Sequence, residues 1–243
     1  MNWNDWTAHF ERNRTRALPA LERDVTLAPP VSRALATSLA RFQVGESGEG
    51  RIVRQIARTR LSGVDASYHR ALALFVAEEG RHARILARAV AALGGQLLST
   101  TWTERLFVFG RRLCGVRLKL LVLLAAEVVG ITFYGLLASR LPSGSLRRAL
   151  AQMCGDEEAH LRFHQDFFRA VAPPGWRRRV FTAVWWSVAP AALLVVLFDH
   201  RRTLRCLGVN LGQTARALLQ AVREAGELGQ PSSVVGDRSA VPC

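Results

Sequence analysis

One phrase, written twice, constrains this chain more than any other feature. Residues 77–86 read AEEGRHARIL and residues 156–164 read DEEAHLRFH. In each, a glutamate and a histidine stand three apart: Glu79 with His82, and Glu157 with His160. A further acid precedes each pair, Glu78 in the first and Asp156 in the second. Residues three apart on an α-helix share a face. Each phrase therefore offers a carboxylate and an imidazole to one point from one helix. A fold that uses both phrases brings two helices face to face around them.

The rest of the chain supplies those helices. Its 243 residues are 49% hydrophobic, Ala, Leu, Arg and Glu dominate, and strand-like alternation is nearly absent, so the fold class is all-α. An N-terminal amphipathic segment covers 1–30, with Trp3, Trp6 and Phe10 on one helical face, docking on the body or touching a membrane. A four-helix bundle is predicted over 31–171, with helices at about 31–61, 66–92, 117–140 and 146–171. Gly63 and Asp65 mark the first turn as C-cap and N-cap. Apolar and amphipathic helices follow over 172–226, the last from about 203, and 227–243 has the composition of a disordered tail.

The third bundle helix is apolar nearly all round, which makes it central. One acid, Glu127, sits in the middle of LLVLLAAEVVGITF. Uncompensated carboxylates in such a setting are costly. Antiparallel helices joined by a short turn meet at equal distances from it. Glu127 stands 14 residues before Leu141 and Glu157 stands 14 after Ser143, so they share a level. Glu79 stands 14 after Asp65, and Glu49 stands 14 before Gly63. Glu49 is thus the better-placed acid of the first helix. Glu46, one turn away on the same face, remains an alternative ligand or an outer partner. Four carboxylates (Glu49, Glu79, Glu127, Glu157) and two imidazoles (His82, His160) form a set that suits two iron or manganese ions in a bundle core. About 20 residues connect the second and third helices, enough to return along the bundle and start the third helix at the opposite end.

Two ExxH phrases, each with a core glutamate about 30 residues upstream, resemble the ferritin-like di-metal carboxylate superfamily over about residues 35–170. The resemblance implies a four-helix bundle with one long crossover. It implies a pair of irons, or manganese with iron, that reacts with O2 or peroxide using an external electron donor. It also implies that Asp156 holds His82 and Glu78 holds His160, each acid fixing the imidazole of the opposite phrase. The other reading leaves both acids solvated beside the ligand face. His164, one turn beyond His160, is a further ligand, a proton relay or a packed core histidine. Tyr134 faces the bundle seven residues after Glu127 and either bonds a ligand or simply packs.

Members of that superfamily act as oxygenases, hydroxylases or desaturases, as peroxide scavengers, or as iron stores. The four cysteines Cys114, Cys154, Cys206 and Cys243 lack the paired spacing of a second iron site. An O2-activating oxidoreductase of a small, lipophilic substrate is the leading expectation. Iron handling, peroxide scavenging and non-catalytic metal binding are the alternatives. The apolar run 180–198 is flanked by arginines and interrupted by Pro190. It packs on the bundle, lies at a membrane interface or spans a bilayer. The net charge is +14, which attracts anionic surfaces. No basic run is interleaved with aromatics, so nucleic acid is not an expected partner. MNWNDWTAHFERNRTR has no apolar signal region, so a cytoplasmic location, with or without peripheral membrane contact, is expected. A homodimer through an apolar helix face is an open expectation.

Overall fold

The computed structural model describes residues 2–21, 26–47, 53, 55–56, 61, 63–102, 116–172 and 174–227. These are all-helical, with seven helices and no strand among them: α1 (Trp3–Arg14), α2 (Pro29–Glu46), α3 (Ala66–Ala92), α4 (Val116–Arg140), α5 (Ser145–Val171), α6 (Trp176–Cys206) and α7 (Leu211–Gly226). Glu49, Cys114, Cys243 and the tail 228–243 lie outside the described residues, as does most of the connection between α3 and α4.

Local chemistry sets the helix ends. The Asn2 side chain caps α1 at the Asn4 amide, and Asp65 caps α3 at the Tyr68 amide. Gly63 adopts φ +80° in the turn before α3, a conformation that side chains resist. Two boundaries differ from the sequence-based expectation. Of the helix expected over 31–61, α2 ends at Glu46, where the Ser47 amide bonds Gln43 O; residues 53, 55 and 56 are helical again, and the remainder up to 60 lies outside the described residues. Residues 45–50 read GESGEG, and each glycine costs a helix interior about 1 kcal/mol relative to alanine. The last helix begins at Leu211 rather than near 203, because α6 continues to Cys206. Gly208 at φ +66° then turns the chain, and Asn210 caps Gly212 and Gln213.

Four helices enclose the core, and their directions follow from who meets whom. Ser32 Oγ donates to Leu93 O at 3.1 Å, so α2 starts where α3 ends. A short turn joins α4 to α5, and Cys154 Sγ meets Ile131 O at 3.4 Å, so these two are antiparallel as well. Tyr68 stacks on Phe163 near one end, and His82 meets Asp156 further along, so α3 and α5 are antiparallel. It follows that α3 and α4 run parallel. Two apolar clusters fill the two ends. One joins Tyr68, Leu72 and Phe75 to Leu120, Leu124, Phe163 and Phe167. The other joins Leu35, Leu39 and Leu86 to Phe133, Leu137, Leu146 and Leu150. The acids and histidines of the two phrases lie between them.

Three helices are added to this core. α1 docks on it: Trp3, Trp6 and Phe10 are buried, Trp3 Nε1 donates to Gly63 O, and Trp6 Nε1 donates to Asp166 Oδ2 at 2.9 Å. α6 lies over α2 and α4, with Phe181, Trp185, Ala189 and Leu193 inward. Trp185 Nε1 donates to Val222 O and so fastens α7. Both α4 and α6 are long and apolar enough to cross a membrane. The most apolar window of α4 is 67% buried within the protein, as a core helix should be, whereas that of α6 is only 22% buried. Trp176, Val180, Trp186, Leu194 and Phe198 stand exposed along α6.

Truncating Trp6 removes a fully docked indole and orphans Asp166 Oδ2. Trp6→Ala should destabilise the chain by about 3–5 kcal/mol in denaturant unfolding. A loss under about 1 kcal/mol would mean that α1 is not docked in solution.

Candidate metal centre

The two phrases meet in reciprocal fashion. His82 on α3 turns Nδ1 toward Glu157 Oε1 on α5, at 3.1 Å. His160 on α5 turns Nδ1 toward Glu79 Oε1 on α3, at 2.7 Å. Ligating atoms of Glu79, His82, Glu157 and His160 all lie within 4.8 Å of one another, and all four residues are buried. Glu127 enters from α4, with Oε2 3.6 Å from His160 Nδ1. Its other oxygen lies 3.4 Å from His164 Nε2.

The outer ring nitrogens are held from behind. His82 Nε2 lies 3.3 Å from Asp156 Oδ2, and His160 Nε2 lies 3.3 Å from Glu78 Oε2. Such contacts aim the opposite nitrogen, Nδ1, inward and raise its basicity. Both outer acids converge on one cation that the sequence reading did not single out. Arg16 Nη2 bonds Glu78 Oε1 at 3.0 Å and Asp156 Oδ1 at 2.5 Å. Arg16 follows α1, so the docked N-terminal helix delivers a guanidinium across both phrases. No local motif announces this role; it depends on where the Trp-anchored helix comes to rest.

From α2 it is Glu46 that reaches the cluster. The residue is half-buried, but its carboxyl lies inside and hydrogen-bonds Glu79. Tyr134 Oη donates to Glu46 Oε1 at 2.7 Å. Glu49, the better-placed acid by spacing, lies outside the described residues.

The charge balance is strained without a cation. Burial and neighbouring carboxylates hold the Glu46, Glu79 and Glu157 carboxyls above the usual range. Burial alone would depress His82 and His160, but the surrounding carboxylates override it and raise both well above the usual value. Burial works against Asp156 too, yet His82 and Arg16 bring it down to about 2. His164, buried beside His160, is depressed to about 3 and is neutral. Burial and Glu46 push the Tyr134 phenol well up.

The donor set fits metal ions. Glu79 Oε1, Glu157 Oε1, His82 Nδ1 and both nitrogens of His164 are buried and, although close to the charged partners named above, make no well-aligned hydrogen bond. Orphaned buried donors and acceptors of this kind cost about 1–3 kcal/mol each, and inward-facing carboxylates with neutral imidazoles are what a divalent cation takes up. The structure thus contains a buried carboxylate and histidine group able to hold a metal ion. Cys154 is buried and Cys206 half-buried; neither is part of the group.

A cavity of about 150 Å³ opens beside the cluster. Glu46, Glu79, Glu127 and Glu157 form one wall, and Phe42, Phe75, Val122, Leu123, Val129 and Ala192 form apolar sides. Arg41, Thr101, Asp199 and His200 also line it. The sequence reading missed Asp199 and His200, although two polar residues closing the apolar run of α6 were a visible signal.

Comparison with protein-family models, with curated proteins and with solved structures finds no significant match. What can be said of function therefore rests on this geometry.

The raised carboxyls and imidazoles set a pH dependence. A group whose folded pKa is raised adds stability below its unfolded value and loses it as pH climbs through the folded value. The carboxyls start from 4.5 and the imidazoles from 6.5, so the metal-free chain should begin to lose thermal stability as pH rises above 4.5 and should go on losing it above 6.5. Asp156, held at about 2, titrates below this range. Added Mn(II) should bind more tightly as pH rises, by about tenfold per unit for each proton released. A metal affinity independent of pH would contradict this assignment of protons.

Proposed function

We propose that the chain is a ferritin-like di-metal carboxylate protein that activates O2 to oxidise a small lipophilic substrate. The observation that carries this reading is the reciprocal pair of Glu/His contacts opening onto an apolar cavity. The parallel course of α3 and α4 supports the ferritin-like topology: a link between two parallel neighbours must return the length of the bundle, about 40 Å for a 27-residue helix. On this reading residues 31–171 form the bundle, with α1, α6 and α7 as additions.

Glu46, Glu79, His82, Glu127, Glu157 and His160 would hold two metal ions, irons or manganese with iron. When bound, such a pair supplies electrons to O2 and is reset by an external electron donor. The residues of the chain do the remainder. Four carboxylates neutralise the charge of two divalent ions. Asp156 and Glu78 hold the two imidazoles in the tautomer that leaves Nδ1 free to ligate, and Arg16 holds the two acids. Phe75 packs edge-on against His160, with ring centres 4.7 Å apart, and excludes water from the inner side. Tyr134 keeps a proton beside Glu46. The apolar sides of the cavity desolvate a carbon-rich substrate next to the carboxylate wall. That lining favours an organic substrate over iron storage, in which ions must pass.

The test is chemical. Extracts of cells with and without the protein should differ in one oxidised small molecule. Ala126→Trp, placed at the exposed rim of the cavity, should abolish that difference while leaving metal content unchanged. Peroxide consumption undiminished by Ala126→Trp, with no organic product, would favour the peroxide-scavenging alternative.

The exposed apolar side of α6 lies between Arg177, Arg178 and Arg179 at one end and Arg201, Arg202 and Arg205 at the other. This suits a helix lying in the interface of an anionic membrane, from which a lipophilic substrate would be drawn. The full chain should co-sediment with phosphatidylserine-containing vesicles at low salt. Its recovery entirely in the supernatant would remove the membrane from this account.

A further inference from the structure

A second polar group lines the same cavity, away from the carboxylate cluster. Thr203 Oγ1 lies 2.8 Å from Ala34 O, a pure acceptor, and so donates to it. Ser38 Oγ lies 2.6 Å from Thr203 Oγ1. Since the Thr203 proton is committed to Ala34, Ser38 donates to Thr203. His200 Nδ1 lies 2.8 Å from Ser38 Oγ. With the Ser38 proton committed in turn, Nδ1 must be the donor. The chain of hydrogen bonds therefore fixes His200 as the Nδ1–H tautomer and leaves Nε2 as a bare lone pair.

Everything around the ring holds this state. Ser38, Thr203 and His200 are all buried. Phe42 stacks on the imidazole with ring centres 4.7 Å apart and 21° between planes, and Phe133 packs at 4.9 Å. Burial, with the Arg41 charge nearby, depresses His200 to about 3, so the ring is neutral. Arg41 itself pairs with Asp199 at 3.2 Å, and Trp102 Nε1 donates to the same carboxylate oxygen at 3.0 Å. Among the described residues Nε2 of His200 has no hydrogen-bond partner. His200 is a residue of the cavity wall, so this free lone pair is available to a molecule in the cavity.

We propose that His200 Nε2 is the acceptor that orients the substrate, and that the substrate is an apolar molecule carrying a hydroxyl or N–H. This specificity rests on the reading of the cavity as a substrate site. A cavity of about 150 Å³ admits one benzene-sized ring. A phenol-like body fits its volume, its apolar sides and the acceptor at His200. The donor of the ligand would sit at His200, leaving the rest of the ring in the same space as Glu79, Glu127 and Glu157. A ketone or ether placed at His200 would set its own lone pair against that of Nε2 and gain no hydrogen bond there.

The test uses the full chain, as purified and after loading with redox-inert zinc, with phenol and toluene as probes of nearly equal shape. Their affinities are measured by titration for the wild type and for His200→Phe, which keeps the stack on Phe42. The preference for phenol relative to toluene should fall about tenfold in the variant, the value of one well-formed hydrogen bond. In the wild type, the ¹⁵N resonance of His200 Nε2 should begin at the unprotonated position and shift with phenol but not with toluene. The proposal is overturned by an unchanged preference, by equal ¹⁵N responses to both probes, or by a proton found on Nε2. The ¹⁵N measurement needs no variant, so it decides even where His200→Phe fails to fold. Zinc uptake is scored separately, so loss of the metal reading and loss of the His200 assignment give different results.

Discussion

Like charges buried together at the middle of a bundle are the constraint on which the rest of this structure depends. Glu46, Glu79, Glu127 and Glu157 meet from four helices, and among the described residues no lysine or arginine enters this group. His82 and His160 stand between the carboxylates, and their raised proton affinity shows how much negative charge they face. An assembly of this kind is unfavourable as a purely structural device, since apolar replacements of similar volume would be at least as stable. It becomes intelligible when cations of comparable total charge complete it.

The packing is arranged to hold that charge rather than to relieve it. Two apolar clusters close the bundle above and below, so the acids cannot escape to water by a small movement. Arg16 is spent on Glu78 and Asp156 instead of on the inner carboxylates. The docked N-terminal helix therefore serves the site through two steps: tryptophans anchor it, and the arginine beyond it orients the acids that orient the histidines. α6 serves the other side. Its inward residues complete the cavity, and its last turns bring Asp199, His200 and Thr203 against α2.

Much of this was legible in the sequence, because period and charge are local signals. Helices α3, α4 and α5 follow from apolar periodicity and caps. The cluster of Glu79, His82, Glu157 and His160 follows from two i, i+3 pairs and an acid in an apolar helix. Other features were not legible, for physical reasons. Glu46 is the acid of α2 seen in the cluster, whereas Glu49, favoured by counting, lies outside the described residues. Arg16 acts across 140 residues of sequence on Asp156, a contact that only tertiary docking creates. His200 reads as an ordinary polar residue after an apolar run until Thr203 and Ser38 fix its tautomer.

The most direct measurement is the metal content of the purified chain after anaerobic ferrous loading, beside a Glu127→Ala, Glu157→Ala double variant whose helicity is checked by circular dichroism. The account predicts about two irons per wild-type chain, an absorption change on exposure to O2, and loss of both in a variant that stays helical. Wild-type protein that binds no metal under these conditions would contradict it, and the buried acids would then be a structural feature without the chemistry assigned to them.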